Sequence, residues 1–198
     1  SQIKREKVFN WLNEEKLDVI FLQETHTVKE DEKKWINQIN NHVIFSHGTS
    51  NAKGVAIIFK NSLNYSVKKT DIDSEGRYII LDVVIEGTKF VLICVYAPND
   101  EVSQLEFWQE LRDKIRTIDK QDKKILLGGD LNVTMNVSMD KLGGNKNRKK
   151  RSIKEINNIK EEFDLVDIWR KRHKNGKEYT WQQNNPRVCC RLDYWLIS

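Results

Sequence analysis

Leu126-Leu127-Gly128-Gly129-Asp130-Leu131-Asn132 is the stretch from which the fold and the chemistry of this chain are most readily inferred. The apolar residues up to Leu127 predict a buried strand, which ends at two glycines followed by an acid and an amide. In an extended segment the side chains alternate between two faces. We therefore expect Asp130 and Asn132 to point the same way while Leu131 turns into the core. Gly-Gly-Asp is also an ordinary turn signal, so this interpretation needs support from elsewhere in the chain.

Three further predicted strands carry polar residues at one end. They are the strand over 17–22, which runs into Gln23-Glu24-Thr25-His26; the strand over 89–96, which runs into Tyr96-Ala97-Pro98-Asn99; and the last strand, which holds Arg191-Leu192-Asp193-Tyr194. If these ends converge, they offer carboxylate and amide oxygens, which favour a hard cation such as Mg²⁺. Such an ion polarises a phosphoryl oxygen, so the residues predict metal-assisted hydrolysis of a phosphoester. For any one acid alone, a strand-end cap or a surface carboxylate is the simpler interpretation.

The composition is that of a globular domain. Of the 198 residues, 38% are hydrophobic and 32% are charged, which fits a packed core with a solvated surface. No apolar run approaches the roughly 18 residues that span a bilayer, so we expect no membrane association. Cys94, Cys189 and Cys190 are odd in number and lack the spacing of a zinc site, and we interpret them as thiols in a reducing compartment.

The positive charges are clustered. The net charge is +5, and the basic residues concentrate in the runs 146–151 and 170–177. Such runs are typical of a surface that contacts a polyanion. The first run also fits a nuclear localisation signal, and either run fits an ordinary solvated face.

Apolar periodicity predicts an alternation of helices and strands. Helices are expected over 3–15, 35–39, 105–118 and 152–163, and strands over 17–22, 43–45, 54–60, 78–85, 89–96, 125–127, 179–181 and 191–197. The segment Gln182 to Cys190 is expected to be a polar loop. Since the sequence shows no internal repeat and no linker, we predict an α/β fold with one core.

The four polar motifs occur in a recognisable order. They follow one another as in the endonuclease/exonuclease/phosphatase superfamily, which the chain resembles over nearly its whole length. The Thr-His after Glu24, the residues Asn136 and Asp140, and Thr180-Trp181 are similar to the apurinic-type endonuclease domain of non-LTR (LINE-type) retrotransposons. The resemblance implies a two-sheet α/β sandwich of the DNase I-like type, formed by residues 1–198 as a single domain.

The resemblance also implies roles for the motif residues. Glu24 is expected to bind Mg²⁺, with Mn²⁺ as the alternative ion. Asp130 is expected to position or activate the attacking water. Asn132 and Tyr96 are expected to contact the phosphate and the transition state, with Asn99 in support.

Two family elements fall outside residues 1–198. Asp193 is expected to orient a histidine that the family carries in a Ser-Asp-His motif after the last strand. A metal-site asparagine of the family precedes the first helix. We therefore expect residues 1–198 alone to lack that first strand and the C-terminal Ser-Asp-His strand, and to nick DNA weakly.

Double-stranded DNA is the partner that the resemblance implies. The segment Gln182 to Cys190 occupies the place where relatives carry a hairpin that probes the minor groove. The expected phosphate and DNA contacts are Asn99, Thr180, Gln183, Asn184, Asn185, Arg187 and Arg191. Most of the affinity is expected from phosphate contacts, which weaken as salt increases.

The hypothesis is therefore a Mg²⁺-dependent endonuclease that nicks one strand of target DNA. The nick would leave a 3′ hydroxyl for target-primed reverse transcription, with a reverse transcriptase domain in the same polypeptide. By the same analogy we expect a nuclear location, and a cytoplasmic one during particle assembly. The alternatives are an abasic-site repair endonuclease and a non-catalytic DNA-binding module on the same fold.

Overall fold

The computed structural model of the protein describes residues 2–145 and 149–198. The chain divides into two compact units, Ser1–Cys94 and Val95–Ser198, which are called the first and the second unit below. The prediction that residues 1–198 form one domain stays a prediction. Within the described residues, no helix combines the length and the apolar character needed to cross a membrane.

The first unit alternates helices with antiparallel strands. Its elements are α1 (Gln2–Glu14), β1 (Val19–Gln23), α2 (Glu32–Ile39), β2 (His42–Ser46), β3 (Val55–Phe59), β4 (Tyr65–Ile72), β5 (Tyr78–Ile85) and β6 (Thr88–Tyr96), whose last two residues belong to the second unit. The predicted helix over 3–15 and the predicted hairpin that turns at 86–88 are confirmed.

Strand β3 is the centre of the sheet β1-β3-β2. Its sequence Val-Ala-Ile-Ile-Phe is buried throughout, as expected for a strand that is covered on both faces. Phe9 of α1 and Trp35 of α2 pack edge to face with ring centroids 5.0 Å apart, in the same core cluster as Ile58. The register pairs Gln23 with Val55, so the loop that follows β1 lies beside the loop that precedes β3.

Strand β4 was not predicted from the sequence. It pairs antiparallel with β5, with an irregularity between Val67 and Lys69. Most of its residues are exposed, and Lys68 and Lys69 interrupt the apolar alternation that identifies a strand. Lysines and irregular pairing are common in edge strands, where they discourage association with other chains.

The second unit carries the remaining elements. They are α3 (Glu101–Arg116), β7 (Lys124–Asp130), α4 (Val137–Asp140), β8 (Lys141–Leu142), α5 (Lys150–Glu162), β9 (Val166–Asp167), α6 (Ile168–Arg172), β10 (Trp181–Asn184), β11 (Arg187–Cys190) and β12 (Asp193–Ile197). Strands β7, β12 and β9 are neighbours in that order, and β10, β11 and β8 form a separate sheet.

Helix α3 begins where the sequence provides a capping residue. The Asp100 carboxylate accepts a hydrogen bond from the Ser103 amide at 2.8 Å, which satisfies one of the free N–H groups of the first turn. Trp108, Leu111 and Ile115 follow at helical spacing and are fully buried. Each such side chain contributes roughly 1.5–3 kcal/mol through burial.

Ion pairs join α3 to α5. Arg112 Nε donates to Glu162 Oε2 at 2.6 Å, and Arg116 Nη2 donates to the same oxygen at 2.9 Å. Arg112 Nη1 also donates to Glu155 Oε1 at 2.8 Å. The hydrogen bond from Arg116, together with that from Arg112, lowers the pKa of Glu162 to about 2.

Cys94, Cys189 and Cys190 are buried and free, which agrees with the prediction of unpaired thiols. Burial raises the pKa of Cys94 to about 12, so its thiol stays protonated and unreactive at neutral pH. It lies near Gln23, whose Nε2 is 3.4 Å from Sγ.

The Glu162 ion pairs predict a defined pH dependence of stability. Because the folded pKa is below the ordinary 4.5, the stabilisation is complete above that value and is lost as the pH falls towards 2. We expect Glu162→Gln to lower the free energy of unfolding at pH 7, and the difference from wild type to shrink between pH 4.5 and 2. Urea unfolding at several pH values measures it. Glu161→Gln, at the exposed neighbouring position, is the control, and an equal effect there would contradict the prediction.

Candidate active site

The end of β7 is shaped by its two glycines. A Cβ atom on Gly128 would lie 2.7 Å from Cε3 of Trp195, so only glycine leaves room for the indole on β12. Gly129 has a φ of +136°, a conformation that side chains disfavour. The backbone that leads to Asp130 therefore requires glycine at both positions: Gly128 leaves room for Trp195, and Gly129 adopts the positive φ.

Asp130 lies directly opposite Asp193. The antiparallel register of β7 and β12 pairs the two residues, and directly opposed side chains in such a pair have Cβ atoms about 4.5–5.5 Å apart. The predicted convergence of these two motifs is confirmed within the second unit.

The backbone turns sharply after Asp130. Asn132 has a left-handed φ of +50°, and its amide donates to Asp130 Oδ1 at 2.8 Å. The expectation of an extended segment through Asn132 is therefore wrong, because the Asp130 side chain bonds the backbone two residues later, as Asp often does in turns. Leu131 is fully buried, as predicted.

The Asn132 side chain connects this turn to the end of β6. Its Nδ2 donates to the carbonyl of Ala97 at 2.7 Å, and the Ala97 amide donates to the carbonyl of Asp130 at 2.9 Å. Tyr96, 8% exposed, precedes Ala97 directly. Tyr96, Asp130 and Asn132 are thus held together by contacts with one short piece of backbone.

Thr180 fixes the chain that leads into Asp193. Its Oγ1 accepts hydrogen bonds from the amides of Leu192 at 3.0 Å and Asp193 at 3.1 Å. The Thr180 hydroxyl therefore fixes the backbone at Leu192 and Asp193. A contact of Thr180 with DNA stays a prediction.

Arg191 does not fit the prediction of a DNA contact. The residue is 3% exposed. Its Nε donates to Asp140 Oδ1 at 2.9 Å, and its Nη2 donates to Asp167 Oδ2 at 2.6 Å. Arg170 Nη2 also donates to Asp140 Oδ1, at 2.6 Å. Arg191 is therefore part of a buried ion-pair network, in which its charge is matched by two aspartates.

The charges of this network are held by hydrogen bonds that outweigh burial. Burial alone would raise the pKa of Asp140, but Arg191 and Arg170 lower it. Burial alone would lower the pKa of Arg191, but hydrogen bonds to Asp167 and Asp140 raise it. The hydroxyl of Tyr194 donates to the Arg191 carbonyl at 3.0 Å and ties the network to β12.

Glu24 belongs to the first unit, in the loop after β1. It has a φ of +53°, and His26 has a φ of +51°. The amides of Thr25 and His26 donate to the carbonyls of Gly54 at 3.1 Å and Lys53 at 3.0 Å. A Cβ atom on Gly54 would lie 2.3 Å from Thr25 Oγ1, so glycine at this position lets the loop dock.

A row of side-chain hydrogen bonds supports the Glu24 loop. Thr25 Oγ1 is 3.0 Å from Thr27 Oγ1, which is 3.2 Å from His47 Nδ1. His47 Nε2 is 2.8 Å from Glu32 Oε1. The sequence placed Thr25 in a motif but did not indicate His47 or Glu32, which come from separate elements. Glu24 also borders a cleft of about 470 Å³ whose lining includes Arg5, Phe9 and Trp35.

The donor chemistry of these residues fits a hard divalent cation. The first unit presents the carboxylate of Glu24, and the second unit presents those of Asp130 and Asp193. Mg²⁺ is usually held by one or two carboxylates with water completing its shell. Among residues 2–145 and 149–198, no three His, Cys, Asp or Glu are arranged to hold a metal ion together. The three cysteine thiols are buried, so these soft ligands are not accessible to a metal ion that arrives from the solvent.

The segment Gln182 to Cys190 is a hairpin rather than a loop. Strands β10 and β11 pair antiparallel with Asn184 opposite Arg187, and β11 also pairs antiparallel with β8. The expected DNA contacts Gln183, Asn184, Asn185 and Arg187 are all exposed at its tip. The unbroken polar run 182–185 predicted a loop, and β10 carries no apolar alternation because neither of its faces is buried.

The structure describes the whole of the second basic run but only part of the first. Residues 146–148 of the first run lie outside the described residues. In the second run, Arg170 Nη1 donates to the carbonyl of Gly176 at 2.7 Å, so this side chain is used internally. Lys171, Arg172 and Lys174 are exposed and stay candidates for contact with DNA.

Gln104, which lies outside every motif, and Lys149, which belongs to the first basic run, contact the loops of the site. Both donate to backbone carbonyls after β6 and β7. These contacts were not predicted, because main-chain partners leave no pattern in the sequence.

Comparisons of sequence identify relatives of the chain. The model of the Endonuclease/Exonuclease/phosphatase family matches residues 2–198. The chain is 31% identical over 175 residues to the Transposon TX1 uncharacterized 149 kDa protein of Xenopus laevis, which covers 88% of this chain and 13% of that protein. It is 31% identical over 103 residues to the DNA-(apurinic or apyrimidinic site) endonuclease 2 of Saccharomyces cerevisiae, covering 42% of this chain and 19% of that protein. The chain thus spans a small part of these relatives.

Solved structures share the fold. An AP endonuclease from Archaeoglobus fulgidus matches with a TM-score of 0.74 and 22% identity, over 98% of this chain and 80% of that one. The Xenopus laevis APE2 catalytic domain matches with a TM-score of 0.79 and 16% identity, over 99% and 79%. These likenesses confirm the predicted two-sheet α/β fold of the DNase I-like type.

The burial of Arg191 predicts that its loss destabilises the protein. We expect Arg191→Met to lower the free energy of unfolding by about 3 kcal/mol, because the partly buried Asp167 would lose its guanidinium partner and the buried Asp140 would keep only Arg170. Chemical denaturation measures this loss. The exposed Arg172→Met serves as the control, and a stable Arg191→Met protein with weakened DNA binding would support a DNA contact instead.

Proposed function

The chain belongs to the Endonuclease/Exonuclease/phosphatase family, and from this we propose that it is a divalent-metal-dependent phosphodiesterase that nicks one strand of duplex DNA. The observation that carries the proposal is the position of Asp130. Its side chain holds the Asn132 amide, its carbonyl holds Ala97, and its partner across the sheet is Asp193.

Each residue has a chemical role in this proposal. Asp130 orients the attacking water and accepts its proton. The Asn132 side chain and the Tyr96 hydroxyl donate to the phosphate, and Asn99 supports them from the adjoining loop. Preorganised donors of this kind stabilise the charge that develops in the transition state without reorganising.

A divalent metal, which the family generally uses, supplies the remaining chemistry. When bound, it polarises a phosphoryl oxygen and stabilises the leaving oxyanion. Glu24 is the proposed ligand, and oxygen donors favour Mg²⁺, with Mn²⁺ as the alternative. Asp193 keeps its proposed role of orienting a histidine.

The transposon relative supports a more specific role. The chain is 31% identical to a 149 kDa transposon protein, a size that leaves room for further domains. We propose that the nick leaves a 3′ hydroxyl for target-primed reverse transcription, that the polypeptide also carries a reverse transcriptase domain, and that the protein acts in the nucleus after assembly in the cytoplasm.

An abasic-site repair endonuclease is the second candidate. It is favoured by the similarity to the yeast apurinic or apyrimidinic site endonuclease. Cleavage of a duplex with one abasic site, compared with an intact A·T-rich duplex, separates the two candidates. A repair enzyme would strongly prefer the abasic duplex, and a target-nicking enzyme would cut the intact one.

Nicking of supercoiled plasmid tests the proposal. With the protein expressed from its complete gene, we expect Asp130→Asn and Glu24→Gln each to reduce the rate at least ~100-fold, because the first removes the proposed base for the attacking water and the second removes the proposed carboxylate ligand of the metal. Asp122→Asn and Glu30→Gln, at exposed positions, should nick like wild type. Removal of divalent metal with a chelator should abolish activity. Retained DNA binding without any nicking by wild type would instead identify a non-catalytic binding module.

The exposed tip of the β10–β11 hairpin predicts a separable effect on target choice. We expect Gln183→Ala, Asn184→Ala and Arg187→Ala combined to alter the sites of nicking, because we propose that these exposed side chains read a groove of the DNA, while the total rate changes less than about threefold. Sequencing of nick positions measures this. Gln121→Ala with Lys124→Ala, at exposed positions off the hairpin, is the control, and an unchanged cleavage map would refute the prediction.

A further inference from the structure

Gln104, on the first turn of α3, donates to three carbonyls of the site. It is fully buried. Its Nε2 lies 2.8 Å from the carbonyl oxygen of Pro98, 3.1 Å from that of Leu131 and 3.3 Å from that of Asn132. A single amide group thus joins the loop after β6 to the loop after β7.

Lys149, immediately before α5, makes the same connection from another direction. Its Nζ donates to the carbonyl of Asn99 at 2.6 Å and to the carbonyl of Asn132 at 2.7 Å. The half-buried ammonium is also attracted by Asp130, Asp100 and Glu101. It therefore places a positive charge among these carboxylates and ties down both loops.

The orientation of the Gln104 amide is fixed by its partners. Turning it over would direct Oε1 at three carbonyl oxygens, which cannot donate. In the present orientation Oε1 is buried and has no hydrogen-bond partner within the part of the chain that the structure describes. The protein thus tolerates an unsatisfied acceptor at this position in order to hold the three carbonyls.

We propose that Gln104 and Lys149 act as positioning residues, forming a carbonyl clamp that fixes the loops bearing Asn99 and Asn132. The residues that the clamp holds are the ones to which the proposed function assigns phosphate contacts, and on that function this inference rests. Neither clamp residue needs to touch the substrate. Their effect reaches it through the backbone of residues 98–99 and 131–132.

The physical reason for such a clamp is the loop geometry. Asn132 adopts a left-handed conformation, which Asn tolerates better than most residues but which the unconstrained chain also leaves for other conformations. Its carbonyl accepts from both clamp residues, and its side chain donates to Ala97. Without the clamp, the Asn132 side chain would sample other positions, and small displacements of a catalytic group are costly for rate.

Lys149→Met is the decisive variant, because this side chain is only half-buried and its loss should leave the fold intact. With the complete protein and a defined duplex, we expect kcat to fall at least 10-fold and KM to change less than twofold. Lys149→Arg, which retains a charged donor, should recover most of the rate. Lys154→Met, at an exposed position on the same helix, should behave like wild type.

Amide hydrogen exchange tests the clamp independently of activity. In Lys149→Met, exchange at Ala97 and Asn132 should accelerate at least 10-fold while exchange at Leu127 stays unchanged. Gln104→Met should have the same local effect, and Gln109→Met, at an exposed position on α3, should have none.

The outcomes are distinguishable. Unchanged exchange at Ala97 and Asn132 overturns the clamp, whatever the activity. Faster exchange with an unchanged kcat overturns its positioning role. A defect confined to KM that shrinks as the salt concentration rises would identify Lys149 as a phosphate contact instead, because salt weakens that contact in wild type. If wild type does not nick at all, the proposed function fails, and the exchange data alone decide whether the clamp exists.

Discussion

The antiparallel pairing of β7 with β12 is the constraint on which the second unit depends. It sets Asp130 opposite Asp193 and brings the backbone after Asp130 against the chain that precedes Asp193, where Leu131 donates to the carbonyl of Leu192. A shift of one residue would turn every side chain of β12 to the other face. It would bury Asp193 and expose Tyr194, so hydrophobic burial and placement of the acids require the same register.

Some motif residues fix the conformation of neighbouring segments through hydrogen bonds and ion pairs. Thr180 bonds the backbone before Asp193, and Arg191 is enclosed by aspartates from two other segments. Sequence motifs report which residues recur together, and they do not separate a side chain that touches substrate from one that fixes the adjacent turn. Burial separates the two cases here, because a buried guanidinium that is paired with two carboxylates is not available to DNA.

Much of the fold follows from the sequence, and the gaps have physical causes. Buried strands such as β3 and amphipathic helices such as α3 carry strong apolar patterns and were predicted. Strand β4 is mostly exposed and β10 is exposed on both faces, so no clear apolar alternation marks them. The left-handed turn at Asn132 depends on a side-chain-to-backbone hydrogen bond, which composition does not reveal. The roles of Gln104 and Lys149 depend on distant carbonyls, and those contacts arise only when the chain is folded.

The close approach of Trp195 to Gly128 has a consequence for the divergence of this sequence. Because a single added methyl group at position 128 would collide with the indole, position 128 cannot vary while Trp195 is kept. A larger residue at 128 is accommodated only after residue 195 has become smaller, so the order of the two substitutions is fixed. The strand end that delivers Asp130 is thereby protected, since a first step away from glycine disturbs the sheet.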